Sequence, residues 1–379
     1  MSVWDDLVGQ EPVVEQLSSA AEGTSGLAHA WLFTGPPGAG RSAAARAFAA
    51  ALQCTETPRG CGHCPSCHQI FQGTHADLAL IRPAGLSFSA ADARRLVLRA
   101  SARPSGGRWQ ITLFEDAHRA TEPAANVLLK AIEEPPPRTL WLLCTPSPED
   151  LLVTIKSRCR VVTLRTPPVA AVADVLVQRD GVDREMAEIA ARMAQGHVGQ
   201  ARRLATEPEA RNRRASVMAV PRRLTSVGPA VAAAEAIVKA ADAEAKTQTE
   251  KLDEEETSAL RKALGESEKG RMPRGTAGAI KDLADRQKSR ATRVKRDALD
   301  RTLLDLASYY RDVLTLQLGA GSELVNVDLG PELRTAAQNG RPEDTLKRLD
   351  AIMACRERLE ANVNPLLAVE ALTLALRTG

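Results

Sequence analysis

Two kinds of segment alternate along the first half of the chain. Short, unbroken apolar runs read as strands buried on both faces: His29–Thr34, Asp77–Ile81, Trp109–Phe114, Thr139–Thr145 and Val161–Leu164. Between them, apolar residues recur every three or four positions, the period of a helix with one face in a core. Such patterns run to about Glu22, over Ala43–Gln53, and over Ser89–Ala102 through Ala93, Leu96, Val97 and Ala100. Another covers Ala124–Glu134 and is stopped by Pro135-Pro136-Pro137, which cannot continue a helix. Strands alternating with helices predict an α/β domain with a parallel sheet and flanking helices. The run Trp109–Asp116 is expected to be a central strand.

Beyond Pro167-Pro168 the patterns are helical to the end, first in a short segment from Val169 to about Thr206, then from about Pro208 onward. Within the second part, Lys239–Lys269 is acidic on balance around Asp253-Glu254-Glu255-Glu256, and Arg271–Arg301 is strongly basic. Apolar residues there are sparse: Leu252, Leu260, Leu264, then Ile280, Leu283, Val294, Leu299 and Leu303. The stretch Gly265–Gly275 between the two is rich in loop formers. Two readings stay open: a protruding hairpin of oppositely charged helices, or a solvated charged linker. Thr345–Leu376 reads as two amphipathic helices separated by Asn362-Val363-Asn364-Pro365.

A chain of 379 residues should form more than one domain. Its 44% hydrophobic and 26% charged content fit a soluble globular protein, and few aromatics with abundant alanine favour helices. The net charge of +3 is too small to argue for nucleic acid by itself. Met1–Asp6 carries no secretory pattern, and no apolar run approaches the roughly 20 residues needed to cross a bilayer, so a cytoplasmic protein with no membrane partner is expected.

The chemistry concentrates at Gly35-Pro36-Pro37-Gly38-Ala39-Gly40-Arg41-Ser42, which follows the first strand and opens a helix. In that context a glycine-rich loop aims its backbone N–H groups at a phosphate. Gly35, Gly38, Gly40, Arg41 and Ser42 are the candidate nucleotide residues, with Ser42 where a magnesium-ligating hydroxyl belongs. The expected lysine is replaced by Arg41, and a broad planar guanidinium does not substitute freely for a compact ammonium. The strand Trp109–Asp116 ends in Glu115 then Asp116, the reverse of the aspartate–glutamate order of a hydrolytic phosphate-loop site. Both departures speak for a degenerate nucleotide site, open to ATP or ADP but not built to hydrolyse it. Thr145 reads either as a phosphate contact or as an ordinary strand end. Trp4–Glu11 reads either as a plain lead-in or as a segment over the adenine side.

Four of the seven cysteines, Cys54, Cys61, Cys64 and Cys67, fall within 54–67, while Cys144, Cys159 and Cys355 are scattered. Two overlapping C-x2-C steps plus a fourth thiol describe a closed tetrahedral site, which suits structural Zn2+ in a reducing cytosol. Iron–sulfur clusters, which also take four thiolates, are the competing metal. His63 finds no vacancy in a set of four sulfurs.

Several of these pieces, in this order, resemble the AAA+ clamp-loader family of bacterial DNA polymerase III. They are the loop at 35–42, the cysteine quartet, Asn126-Val127-Leu128-Leu129-Lys130-Ala131-Ile132-Glu133-Glu134-Pro135-Pro136, and Ser157-Arg158-Cys159, spread over about residues 1–205. The resemblance implies an AAA+ phosphate-loop domain at 1–167 with its zinc module at 54–67. A helical lid at 168–207 and an all-α collar at 208–379 follow; the charged hairpin or linker read from the charge pattern at about 240–300 goes beyond the usual pattern of that family. It implies that Arg158 is an arginine finger reaching the ATP site of a neighbouring subunit. It further implies a non-hydrolysing accessory role beside gamma/tau and delta subunits in a hetero-oligomer, a pentamer by family. That complex loads the sliding clamp on primer-template DNA. An ATP-hydrolysing motor subunit of the gamma/tau kind is the alternative, and Arg41 and Glu115-Asp116 speak against it. A nucleotide-independent zinc scaffold on DNA is a third reading. The place of the motor subunits' lid sensor arginine falls on Gly199 here. Arg202, one turn on, reads as a replacement or, preferably, as a solvent-facing charge.

Overall fold

The computed structural model describes residues 2–24, 26–83, 85–264 and 276–378, so the loop formers of Gly265–Gly275 lie outside the described residues. Two compact units divide the chain near residue 206.

The first unit is built on five parallel strands: β1 (Ala30–Thr34), β2 (Leu78–Ile81), β3 (Gln110–Phe114), β4 (Thr139–Thr145) and β5 (Arg160–Thr163), in the order β2-β3-β4-β1-β5. β1, β3 and β4 are buried along their whole length. Alternate residues feed two cores, one on each face. Trp31 and Phe33 point with Leu140 and Leu142 into the layer beneath α1 (Glu11–Glu22) and α2 (Arg41–Gln53). Leu32, Trp141 and Leu143 point into the other, beneath α4 (Ala90–Ala100) and α5 (Glu122–Glu133). The Trp31 and Phe48 rings meet edge-on at 4.8 Å inside the first layer. α3 (Pro65–Gln72) follows α2 on the same side, and the one-turn α6 (Val153–Lys156) precedes β5.

Two details differ from the sequence reading. The middle strand is β4, with β3 one place nearer the edge. Both are wholly buried, largely apolar interior strands, so hydropathy cannot rank them; the crossovers decide. The helix expected from Ala43 begins at Arg41, because Gly40 adopts a left-handed conformation (φ 92°) and hands the chain straight into α2. Arg41 and Ser42 thus stand in its first turn.

Three short helices complete this unit: α7 (Val169–Asp180), α8 (Arg184–Met193) and α9 (Val198–Thr206). They bury Val172, Leu176, Ala187, Ala190 and Leu204.

The second unit is entirely helical: α10 (Pro208–Met218), α11 (Val220–Arg223), α12 (Val227–Ala263), α13 (Ala277–Gln317), α14 (Gly330–Asn339), α15 (Pro342–Glu360) and α16 (Pro365–Thr378). Its core takes Ala230, Ala234 and Ile237 from α12, Leu299, Leu303, Leu306 and Tyr310 from α13, and Val369 and Leu372 from α16. The outer ends of α12 and α13 run antiparallel and pair opposite charges. Arg290 meets Asp253 at 3.3 Å and Glu256 at 2.6 Å, Lys295 meets Asp242 at 2.7 Å, and Arg301 meets Glu244 at 2.7 Å. The pair is therefore a helical hairpin whose basic arm is compensated by its acidic one. No helix among the described residues is long and apolar enough to cross a membrane.

Candidate functional site

Parallel strands place their carboxyl ends together, and that edge is where ligands enter open α/β sheets. Thr34 of β1 stands level with Thr145 of β4, and Phe114 of β3 with Leu143. The glycine loop leaves β1 there, Glu115-Asp116 leave β3, and Pro146 leaves β4. The loop turns through Gly35, Gly38 and Gly40, at φ 144°, 86° and 92°. At Gly38 space as well as conformation demands glycine. A Cβ would lie 2.4 Å from the Cβ of His197, the residue that leads into α9. The helical segment after Pro168 thus rests directly on the phosphate loop. Gln10 ties in the N-terminal segment: its amide donates to the Arg165 carbonyl at 2.6 Å and accepts from the Arg165 N–H at 3.2 Å. With Val3, Leu7, Val8 and Gln10 buried, Trp4–Glu11 is an integral part of this unit.

The groups that would handle a nucleotide's phosphates are engaged with protein partners. The Arg41 guanidinium folds back and donates to the Gly35 carbonyl. Burial lowers its pKa, against the opposing pull of Cys144, Asp116 and Asp150. Burial pushes the pKa of the Cys144 thiol, which lies near Ser42, far up. Buried Glu115 accepts from Arg46 of α2 at 2.5 Å and from Arg82, just past β2, at 2.8 Å. Asp116 sits in a left-handed conformation (φ 53°, ψ 48°), with Arg119 at 3.8 Å. The Thr145 hydroxyl donates to the Ser147 carbonyl at 3.0 Å within its own turn.

Arg158 lies in the turn between α6 and β5, at the far end of the segment that begins at Pro146. Its guanidinium pairs with Glu133 and donates to the Thr154 carbonyl at 2.8 Å and to the Ser157 hydroxyl at 3.3 Å. The side chain is 38% exposed. Glu133 ends α5, so this ion pair joins the asparagine-to-proline stretch to the Ser-Arg-Cys triplet. Arg202 points elsewhere than the phosphate loop: it pairs with Asp180 at 3.0 Å, beside Arg179.

The four cysteines converge. The sulfurs of Cys54, Cys61, Cys64 and Cys67 all lie within 4.8 Å of one another, and those of Cys54 and Cys64 are 3.9 Å apart. Cys54 caps the end of α2, and Cys64 caps the start of α3. The Cys64 N–H donates to the Cys61 sulfur at 3.3 Å and the Cys67 N–H to the Cys64 sulfur at 3.4 Å, bonds that favour thiolates. Burial raises the Cys64 pKa, but its N–H donors outweigh that and bring it down to about 6. The donor set, its closeness and its N–H bonds fit a tetrahedral metal. His63 stays outside the set, its Nδ1 3.0 Å from the Cys61 carbonyl oxygen.

Gln10, His197, Arg46, Arg82 and Glu133 are the contributors that sequence reasoning did not single out. Arg46 carried a weak signal, one helical turn beyond Ser42 and so near the loop. Arg82 carried none, since its meeting with Glu115 depends on β2 lying beside β3.

The model of a family described as DNA polymerase III, delta subunit, matches residues 9–168, and that of its C-terminal part matches residues 292–378. A solved DNA polymerase III gamma subunit-related protein of Thermotoga maritima aligns with 96% of this chain and 98% of its own, at 16% identity and a TM-score of 0.45. The tau/gamma subunit of Haemophilus influenzae is 39% identical over 158 residues, which are 41% of this chain and only 22% of that relative. The delta′ subunit of Bacillus subtilis is 28% identical over 377 residues, 99% of both chains. The similarity to the delta′ subunit thus runs the length of the chain, through the helical second unit as well as the first, and the two matching models are both those of DNA polymerase III delta subunits.

Proposed function

We propose that this chain is a non-hydrolysing clamp-loader subunit of the DNA polymerase III holoenzyme. It assembles with gamma/tau and delta subunits, in a pentamer, and helps load the sliding clamp on primed DNA in the cytoplasm. The observation that carries this reading is the end-to-end match to a delta′ subunit. The proposed contribution to catalysis is made in trans. Arg158 leaves Glu133 and enters the ATP site of a neighbouring gamma/tau subunit, where a guanidinium neutralises charge on the transferring phosphoryl group. Its exposure and its placement in a turn support this, since an exposed ion pair costs only about 0–1 kcal/mol to break.

The chain's own loop is proposed to retain ATP or ADP without turning it over. Its glycine geometry favours an anion, while Arg41 and Glu115 are occupied by the Gly35 carbonyl and by two arginines. Cys54, Cys61, Cys64 and Cys67 are proposed to hold a structural zinc ion, whose role is to fasten the 54–67 segment to the end of α2.

The test is ATP turnover by the reconstituted complex with clamp and primed DNA. Arg158→Ala is expected to lower it roughly tenfold or more with assembly intact. Unchanged turnover would leave Arg158 a surface charge. The motor reading has the well-kept loop and the 39% tau/gamma match in its favour. Brisk hydrolysis by the isolated chain would install it instead.

A further inference from the structure

The acids at the end of β3 are already neutralised by the protein's own cations. Magnesium in a phosphate-loop site takes oxygen ligands in near-octahedral order: a hydroxyl from the loop, phosphates, and waters held by a strand-end carboxylate. Both strand-end carboxylates have another occupation here. Glu115, one residue past β3, has each oxygen on a different guanidinium, Oε1 on Arg46 at 2.5 Å and Oε2 on Arg82 at 2.8 Å. Its side chain is only 10% exposed, so little water competes for it. Asp116 is turned by its left-handed backbone toward Arg119. A divalent cation arriving at Glu115 would face two fixed positive charges within a few ångströms of its ligand, in a partly desolvated place where such repulsion is poorly screened.

We propose that Arg46 and Arg82 stand in for the divalent cation, so that this strand end holds no metal even with nucleotide present. The inference rests on reading Glu115 and Asp116 as the strand-end acids of a phosphate-loop site. It goes further by naming the residues that close the metal position. Arg82 is the selective element, because it reaches Glu115 only through the pairing of β2 with β3. Removing the arginines leaves a buried carboxylate seeking a cation.

The experiment titrates Mn2+ into the zinc-loaded full-length chain with ADP and follows loss of the free-ion paramagnetic resonance signal, against ADP alone. Wild type is expected to remove no more Mn2+ than ADP does. The double variant Arg46→Gln/Arg82→Gln is expected to take up Mn2+ roughly tenfold more tightly than wild type, or better. Mn2+ uptake by wild type overturns the proposal. So does a double variant that matches wild type in circular dichroism and zinc content yet takes up none. Should the double variant fail to fold, Arg82→Gln alone decides in the same way, since the Arg82 side chain is half exposed. Failure of the arginine-finger reading is separate: it appears in loader turnover on Arg158→Ala and leaves this titration unmoved.

Discussion

The Asp77 carboxylate, just before β2, collects four donors from one loop. They are the Ser105 N–H at 2.6 Å, the Ser105 hydroxyl at 2.8 Å, the Gly106 N–H at 3.1 Å and the Gly107 N–H. Burial raises its pKa, but the donors outweigh that and hold it at about 2, below the ordinary 3.8. A depressed carboxylate stabilises the fold fully above its unfolded pKa and loses that effect as pH falls through the folded value. Asp77 should therefore add an acid-labile component to stability between about pH 4 and 2. Asp77→Asn is expected to remove it and to cost about 2–3 kcal/mol at neutral pH, measured by denaturant unfolding across that range. Gly38 makes a second case. Gly38→Val forces a side chain into His197 at φ 86° and should destabilise the first unit by about 1–3 kcal/mol in the same measurement. The chemistry-bearing residue types were legible at this scale, but their partners were not. Arg41 was visibly wrong for a lysine position. That Glu115 would be held by Arg82, 33 residues away, follows from β2 lying beside β3, and its contact with Arg46, 69 residues away, from the packing of α2 on the sheet.

At the scale of elements, the cysteine module and the charged hairpin show how local pattern becomes structure. Cys54 ends α2 and Cys64 begins α3, so a metal bound between them would fix the angle of two helices at once. Chelating the metal from purified protein is expected to release one zinc ion and to expose the 54–73 backbone to hydrogen exchange while the sheet stays protected. Zinc-free protein with unchanged protection there would remove the metal from the account. In the hairpin, Arg290 bridges Asp253 and Glu256. Arg290→Glu puts three acids together and should loosen the outer ends of α12 and α13, seen as faster exchange there. Glu256→Arg in the same chain should restore part of the protection, the signature of a direct pair. Opposite charges in consecutive stretches announced this hairpin, but a linker of the same composition would have read alike. The decision lay in the register that set Lys295 against Asp242 and Arg301 against Glu244.

For the whole molecule, each unit owns a separate core. The first is centred on Trp31, Phe33 and Trp141, the second on Leu299, Leu303, Tyr310 and Val369. The second also contains a buried polar knot. Arg214 meets Asp305 at 3.1 Å, and Asn326 donates through its side chain to Asp312 at 2.8 Å, tying the segment after α13 to the bundle. A domain with its own core folds by itself. Residues 207–379 expressed alone are therefore expected to give a helical spectrum and one cooperative thermal transition. A non-cooperative melt would show that this unit depends on the first.

The sequence alone determined the kinds of element, the glycine-rich loop between the first strand and its helix, and the four closely spaced cysteines. These are local properties, written in periodicity and spacing over a few residues. The tertiary structure decided what is set by neighbours far apart in the chain. It made β4 the middle strand, laid His197 over Gly38, and placed Arg158 on Glu133. It also brought Arg46 and Arg82 to the one carboxylate that a metal would need. Strand order and side-chain pairing come from the crossovers and from burial, which hold an acid at the end of β3 between two arginines.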